Sequence, residues 1–273
     1  MEVSEVKKTR GKTYNAIDLT KFLCSILVVM IHIMPLGEYS NSSIVNGFNF
    51  VIKNYLARIA VPFFFVASGF FLYSKTTLSN FDVKFTKKYV LKLLKLYVIW
   101  TVIYLPLIIK GIVGNKDGIF YGVLSFIKNF IFTGSFVQLW YLPATMFAVI
   151  LVSWLLKNKV TPKKILIIAS GFYIVGLFAQ SWFGFIEPLK VLVPGFWKLL
   201  VLLEKVMGTT RNGLFEGFIF VAMGMFFAFY EIKVSFTKLI IGFYLAMICL
   251  LIEFSLLYNF NFIVLYFFNY IWN

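Results

Sequence analysis

Residues 18–35 read DLTKFLCSILVVMIHIMP, an apolar stretch interrupted by Asp18, Lys21 and His32. At about 1.5 Å per residue a helix of this length spans most of a hydrocarbon layer about 30 Å thick. Similar runs recur along the chain, so reading this one as a membrane helix decides the fold class. His32 is the only histidine among 273 residues, which makes its place inside that run a question about function.

Composition points the same way. Hydrophobic residues make up 61% of the chain and charged ones 14%, where a soluble domain carries about 25% charged residues. The predicted class is an all-α, polytopic transmembrane helical bundle with about seven or eight crossings. A net charge of +15 raises the question of nucleic acid, yet the lysines gather in short loops between apolar runs, as the positive-inside rule expects. No nucleic-acid partner is expected; the partners are the lipid bilayer and a small-molecule or glycan substrate. Cys24 and Cys249 both fall in apolar runs and read as small hydrophobes, with no disulfide framework and no metal site expected. The first 21 residues are too polar for a signal peptide, so the first run stays as a helix.

Loop charges set a topology. Residues 1–16 form a cytoplasmic tail holding Lys7, Lys8, Arg10 and Lys12, and residues 17–273 form the transmembrane domain of a multi-pass plasma-membrane protein. Helix one runs from about Asp18 to Leu36. The loop at 37–47 lacks Lys and Arg and reads as external. Helices two and three lie at about Asn54–Tyr73 and Tyr89–Ile109 around a basic cytoplasmic loop. Residues 111–135 are broken by Gly114, Asn115, Lys116, Asp117, Lys128 and Gly134, and read as an outer interfacial or re-entrant segment protected by neighbouring protein. Four further helices are expected at about 136–156, 165–182, 212–230 and 239–258, with an amphipathic piece at 196–206. The inner segments hold 14 of the 26 Lys and Arg residues, which supports this orientation. The apolar finish FNFIVLYFFNYIWN reads as the start of a missing C-terminal portion.

Lys21 and His32 are 11 residues apart, which is three helical turns plus about 20°, so both project from nearly one face about 16 Å apart along the axis. Asp18 stands three residues before Lys21, in reach of a first-turn pair. Lys21 is either a snorkelling anchor or a cation on a path across the bilayer. A neutral imidazole takes and returns a proton near pH 7, so His32 is either a packing residue or a general base. Arg58, near the outer end of helix two, suits either an anchor or a carboxylate or phosphate contact. Ser68 and Gly69 permit close helix approach. Lys88, Lys92 and Lys95 form one basic stripe, either a stop signal or a docking patch for an anionic cofactor. Trp140 and Tyr141 make an aromatic belt or the floor of a polar groove. Arg211, Asn212 and Glu216 open helix six. Glu216, at the depth of His32, either orients the imidazole or pairs with Arg58 or Arg211.

Taken together, DLTKFLCSILVVMIH and VPFFFVASGFFLY resemble the first two helices of acyltransferase-3 membrane proteins, whose opening motif separates a basic residue from a histidine by ten positions. Lys92 and Lys95 sit where that family tends to carry an arginine pair. The stretch at 140–144 and RNGLFEGFIFVAMGMFFA resemble the membrane half of membrane-bound serine racemases of glycopeptide resistance and related Gram-positive proteins. Glu216 stands at a position expected to be apolar. The resemblance implies a ten-helix fold and O-acyl transfer, with cytoplasmic acetyl-CoA as donor and a hydroxyl of a cell-envelope glycan as acceptor. It places donor phosphates on Lys21, Lys92 and Lys95, the general base at His32, and an anionic part of a substrate on Arg58 or Arg211, with Asn212, Trp140 and Tyr141 around it. The racemase branch implies an alternative, a binding or uptake module for L-serine.

Overall fold

Every element among the described residues is helical. The computed structural model describes residues 14–33, 57–79, 81–179, 190–230 and 235–259, with a few isolated positions between. Residues 1–13 of the basic tail, most of the loop at 37–47, the expected start of helix two at Asn54 and the apolar finish at 260–273 lie outside the described residues.

The opening stretch forms α1, Asn15–Ile33. A 3-10 turn at Ala57–Ile59 leads into α2, Ala60–Tyr73. The Asp82 carboxylate accepts the Lys84 amide at 2.8 Å and so caps α3, Val83–Ile103. The apolar pattern continues past Ile103, but Pro106 has no amide proton to extend the ladder and its ring crowds the preceding turn. The chain bends there by 62° into α4, Leu105–Val113. The single helix expected at 89–109 is therefore two pieces, beginning six residues earlier than its sequence suggests.

Next come α5 (Ile119–Phe132), a 3-10 turn at Val137–Leu139 and α6 (Tyr141–Lys157). Pro162 opens α7, Pro162–Phe178, and Pro194 opens α8, Pro194–Met207, the amphipathic piece expected at 196–206. A π turn at Gly213–Gly217 then runs into α9, Phe218–Phe229, and α10 covers Phe236–Asn259. By length and composition α1 and Ile119–Leu139 each suffice to cross a membrane, as does the bent α3–α4 pair if it is one span. Ala57–Tyr73, Tyr141–Lys157 and Gly213–Phe229 are apolar but shorter.

The core lies between α2, α6, α7 and α9, where Phe65, Val149, Val152, Ile165, Phe218, Val221 and Met225 are almost fully buried. The surface is also apolar: Leu19, Phe22, Phe120 and Ile167 are all more than 60% exposed. In water such a surface would drive association; against lipid tails it is matched.

Polar groups inside the bundle find partners. The Tyr73 hydroxyl donates to the Val149 carbonyl at 3.1 Å and lies 2.8 Å from Ser153 Oγ, which in turn is 2.7 Å from Thr86 Oγ1, so α2, α3 and α6 are tied together. Tyr73→Phe leaves Ser153 and the carbonyl one partner short. The expected loss is about 1 kcal/mol, read as a lower unfolding midpoint in detergent. The irregular backbone after α5 is served likewise. The buried Ser135 donates its amide to the Tyr97 hydroxyl at 2.6 Å, and its own hydroxyl meets Thr101 at the same distance. Non-helical backbone at membrane depth needs such protein cover.

Candidate functional site

Two polar regions stand at opposite ends of the bundle. The first is set by how α1 lies on α2. Tyr14, one residue before α1, packs edge-on to Phe70 and Phe71, with ring centres 5.3 and 5.7 Å away. This pairing makes the two helices antiparallel and sets Lys21 beside the last turn of α2. Asp18 holds the Lys21 ammonium at 3.2 Å, as the i,i+3 spacing expects, and the same ammonium sits 3.9 Å from the centre of the Phe71 ring.

Beside it opens a cleft of about 380 Å³ lined by Lys21, Phe64, Ala67, Ser68, Phe71, Lys75 and Tyr89. Its chemistry is divided. Two cations stand on its rim, phenyl rings form its sides, and hydroxyls close one wall. Ser68 Oγ lies 3.0 Å from the Tyr141 hydroxyl, and Tyr89 stands on the same cleft lining. Tyr141 is held in turn by the Phe65 ring, 4.7 Å away, and by Thr145, whose hydroxyl donates to the Tyr141 carbonyl at 2.7 Å. Tyr141 is thus turned into the core rather than standing in an aromatic belt.

Lys92 and Lys95 are exposed and line neither this cleft nor the small one near Asn212. The cause is the helical period. α3 turns Thr86, Tyr89 and Tyr97 toward the bundle, which carries Lys88, Lys92 and Lys95 round to the outward side. Of the three lysines expected to gather at a donor's phosphates, Lys21 alone lines the cleft, and its companion there is Lys75.

The second region gathers at the other end. Asn212 is buried and accepts the amides of Leu214 and Phe215 at 2.9 and 3.2 Å, capping the π turn. That turn carries Glu216, which is within electrostatic reach of both Arg211 and Arg58. The Arg211 guanidinium stands 5.7 Å from the Trp140 ring centre. Gly134 lets the chain pass close to the Trp140 backbone: its φ is +99°, and a Cβ there would meet the Trp140 amide at 2.7 Å. Arg58 is exposed on the 3-10 turn before α2, the element met by the C-terminal half of α1. His32 is exposed on the last turn of α1, so it shares this end of the bundle and is not among the residues lining the Lys21 cleft. The charges described around Glu216 are the two arginines, the pairing the sequence offered as an alternative to orienting His32.

Three participants escaped the sequence reading. Lys75 follows the end of α2 and reads as an ordinary basic loop residue. Tyr89 and Ser68 belong to segments separated in sequence, and Ser68 read only as a small residue for helix packing.

The chain matches the family described as an acyltransferase domain over residues 14–273. Among curated proteins, one amino-acid racemase of Enterococcus faecalis is 34% identical over 217 residues, covering 79% of this chain and 28% of the relative. A second from the same organism is 32% identical, covering 90% of this chain and 34% of the relative. A serine/alanine racemase of Enterococcus gallinarum is 29% identical, covering 90% and 33% respectively. The chain therefore spans about a third of the length of these relatives. No solved structure matches it.

Proposed function

The chain belongs to the acyltransferase-3 family, and from that premise we propose that it is an integral-membrane O-acyltransferase. It moves an acetyl group from cytoplasmic acetyl-CoA to a hydroxyl of a cell-envelope glycan at the outer face. The observation that carries this reading is the cleft at the Lys21 end, which joins two cations to apolar walls. A phosphorylated donor with a long, mostly apolar arm needs those two features together. With the N-terminal tail in the cytoplasm, Lys21 and Lys75 meet the donor's phosphates, and Asp18 holds Lys21 in place. Lys92 and Lys95, on the outward side of α3, serve only the part of the donor left outside the cleft. The arm runs along α2 toward the outer end, where His32 removes the acceptor's hydroxyl proton. The acceptor oxygen then bonds to the acyl carbon, the C–S bond breaks, and the proton ends on the released thiol. Arg58 and Arg211, with Asn212 and Trp140 behind them, position an anionic part of the acceptor, while Tyr141 faces Ser68 on the donor side.

A second reading rests on Glu216. A carboxylate within electrostatic reach of two guanidiniums offers both charges that a zwitterion needs, and the relatives are named as racemases of amino acids. On this reading the chain is a binding or uptake module for L-serine. Purified protein in vesicles separates the two. Transfer of radiolabelled acetyl to a glycan acceptor supports the first. Serine accumulation without acetylation, lost in Glu216→Gln, supports the second and overturns the first.

A further inference from the structure

The hydroxyls on the cleft wall carry an inference about which part of the donor is recognised; it rests on the donor reading above. Tyr89 and Ser68 line the cleft, and Ser68 is linked onward to Tyr141 at 3.0 Å. A hydroxyl paired in this way behaves differently from a lone one. If Tyr141 donates to Ser68, the Ser68 proton is left for an acceptor in the cleft. If Ser68 donates to Tyr141, Ser68 Oγ presents its lone pairs to the cleft, beside the Tyr89 hydroxyl. One wall thus serves a carbonyl in one sense and an N–H in the other, the two faces of an amide.

Position along α2 adds a constraint. Lys75 lies seven residues beyond Ser68, about 10 Å along a helix axis, and a phosphopantetheine arm carries its amides within that reach of its phosphate. A cleft of about 380 Å³ holds such an arm, and because the cleft is open an attached nucleotide would extend past its lysine rim.

We propose that the Tyr89 and Ser68 hydroxyls, with Tyr141 paired behind Ser68, form a binding subsite for an amide of the donor's phosphopantetheine arm, with the arm's phosphate on Lys21 and Lys75. Tyr89 and Ser68 touch the ligand, and Tyr141 positions Ser68. Donor selection then rests on the arm, and the adenosine half contributes little.

Isothermal titration of the purified full chain in detergent tests this with three probes: CoA, 4′-phosphopantetheine and adenosine 3′,5′-bisphosphate. The wild type is expected to bind CoA and phosphopantetheine within about tenfold of each other. Tyr89→Phe and Ser68→Ala should weaken both by about 5–20-fold and leave the adenosine probe unchanged. Ser68→Thr, which keeps a hydroxyl, should stay near wild type. The subsite is overturned if phosphopantetheine fails to bind, if Tyr89→Phe and Ser68→Ala leave it unchanged, or if Ser68→Thr is as weak as Ser68→Ala. In those cases a loss of CoA binding in a Lys21→Ala, Lys75→Ala double variant still upholds the donor reading. If the wild type binds no CoA, the donor reading falls and the subsite falls with it.

Discussion

His32→Ala is expected to lower acyl transfer by about 10²–10⁴-fold while leaving CoA affinity unchanged. The magnitude is that of a lost general base. The separation of effects follows from geometry. His32 is on the last turn of α1, whereas the donor's cations line a cleft three turns away at the other end of that helix. The ring is exposed on the last turn of α1, which gives the experiment a second arm. Added imidazole should restore part of the activity of His32→Ala but none of that of a Lys21→Ala, Lys75→Ala double variant, whose defect is in binding. His32→Gln, which keeps a hydrogen-bonding group but no basic nitrogen, should be as inactive as the alanine variant. Glycan acetylation in cells carrying either His32 variant at the wild-type level would remove the imidazole from the reaction.

Much of the first region was legible from spacing alone. Asp18 and Lys21 stand three residues apart and meet at 3.2 Å, because helical periodicity is local and nothing in the bundle opposes it. Pro106 sets the bend after Ile103 in the same local way, yet the apolar run at 89–109 read as one helix straight across it. The cleft itself was hidden because it depends on pairs remote in sequence. Ser68 meets Tyr141 across 73 positions, and the two look like a packing residue and an interfacial aromatic until α6 is laid beside α2. Lys75 gains its role only from where α1 docks. The stripe of Lys88, Lys92 and Lys95 misled for the opposite reason. Its periodicity is real, yet a stripe says which residues share a face and not which way that face looks. Glu216 was legible as a costly intramembrane charge, and the two arginines within its electrostatic reach were one of the two alternatives its position offered. The π turn that carries it has no simple sequence signal.

Gly224→Val is expected to abolish recovery of folded protein, and Gly69→Ala to weaken it severely. Lipid tails are as apolar as leucine, so helices in a bilayer are held together by close packing rather than by escape from water. Here α2 and α9 approach at two glycines. A Cβ on Gly224 would overlap the Val66 carbonyl and lie 2.7 Å from the Phe70 amide. One on Gly69 would overlap the Val221 carbonyl and lie 3.2 Å from the Met225 amide. The obstacles are backbone atoms of rigid helices, so no rotamer change relieves them. The penalty for valine should exceed the ~3 kcal/mol at the upper end of ordinary overpacking. Gly171 on α7 supplies the control, since a Cβ there meets nothing within 4 Å. Gly171→Ala should be neutral or should stabilise by up to about 1 kcal/mol through helix propensity. Fluorescence-detected size exclusion during a thermal ramp reads all three variants. If Gly224→Val elutes as a single species melting with the wild type, α2 and α9 do not meet at these glycines.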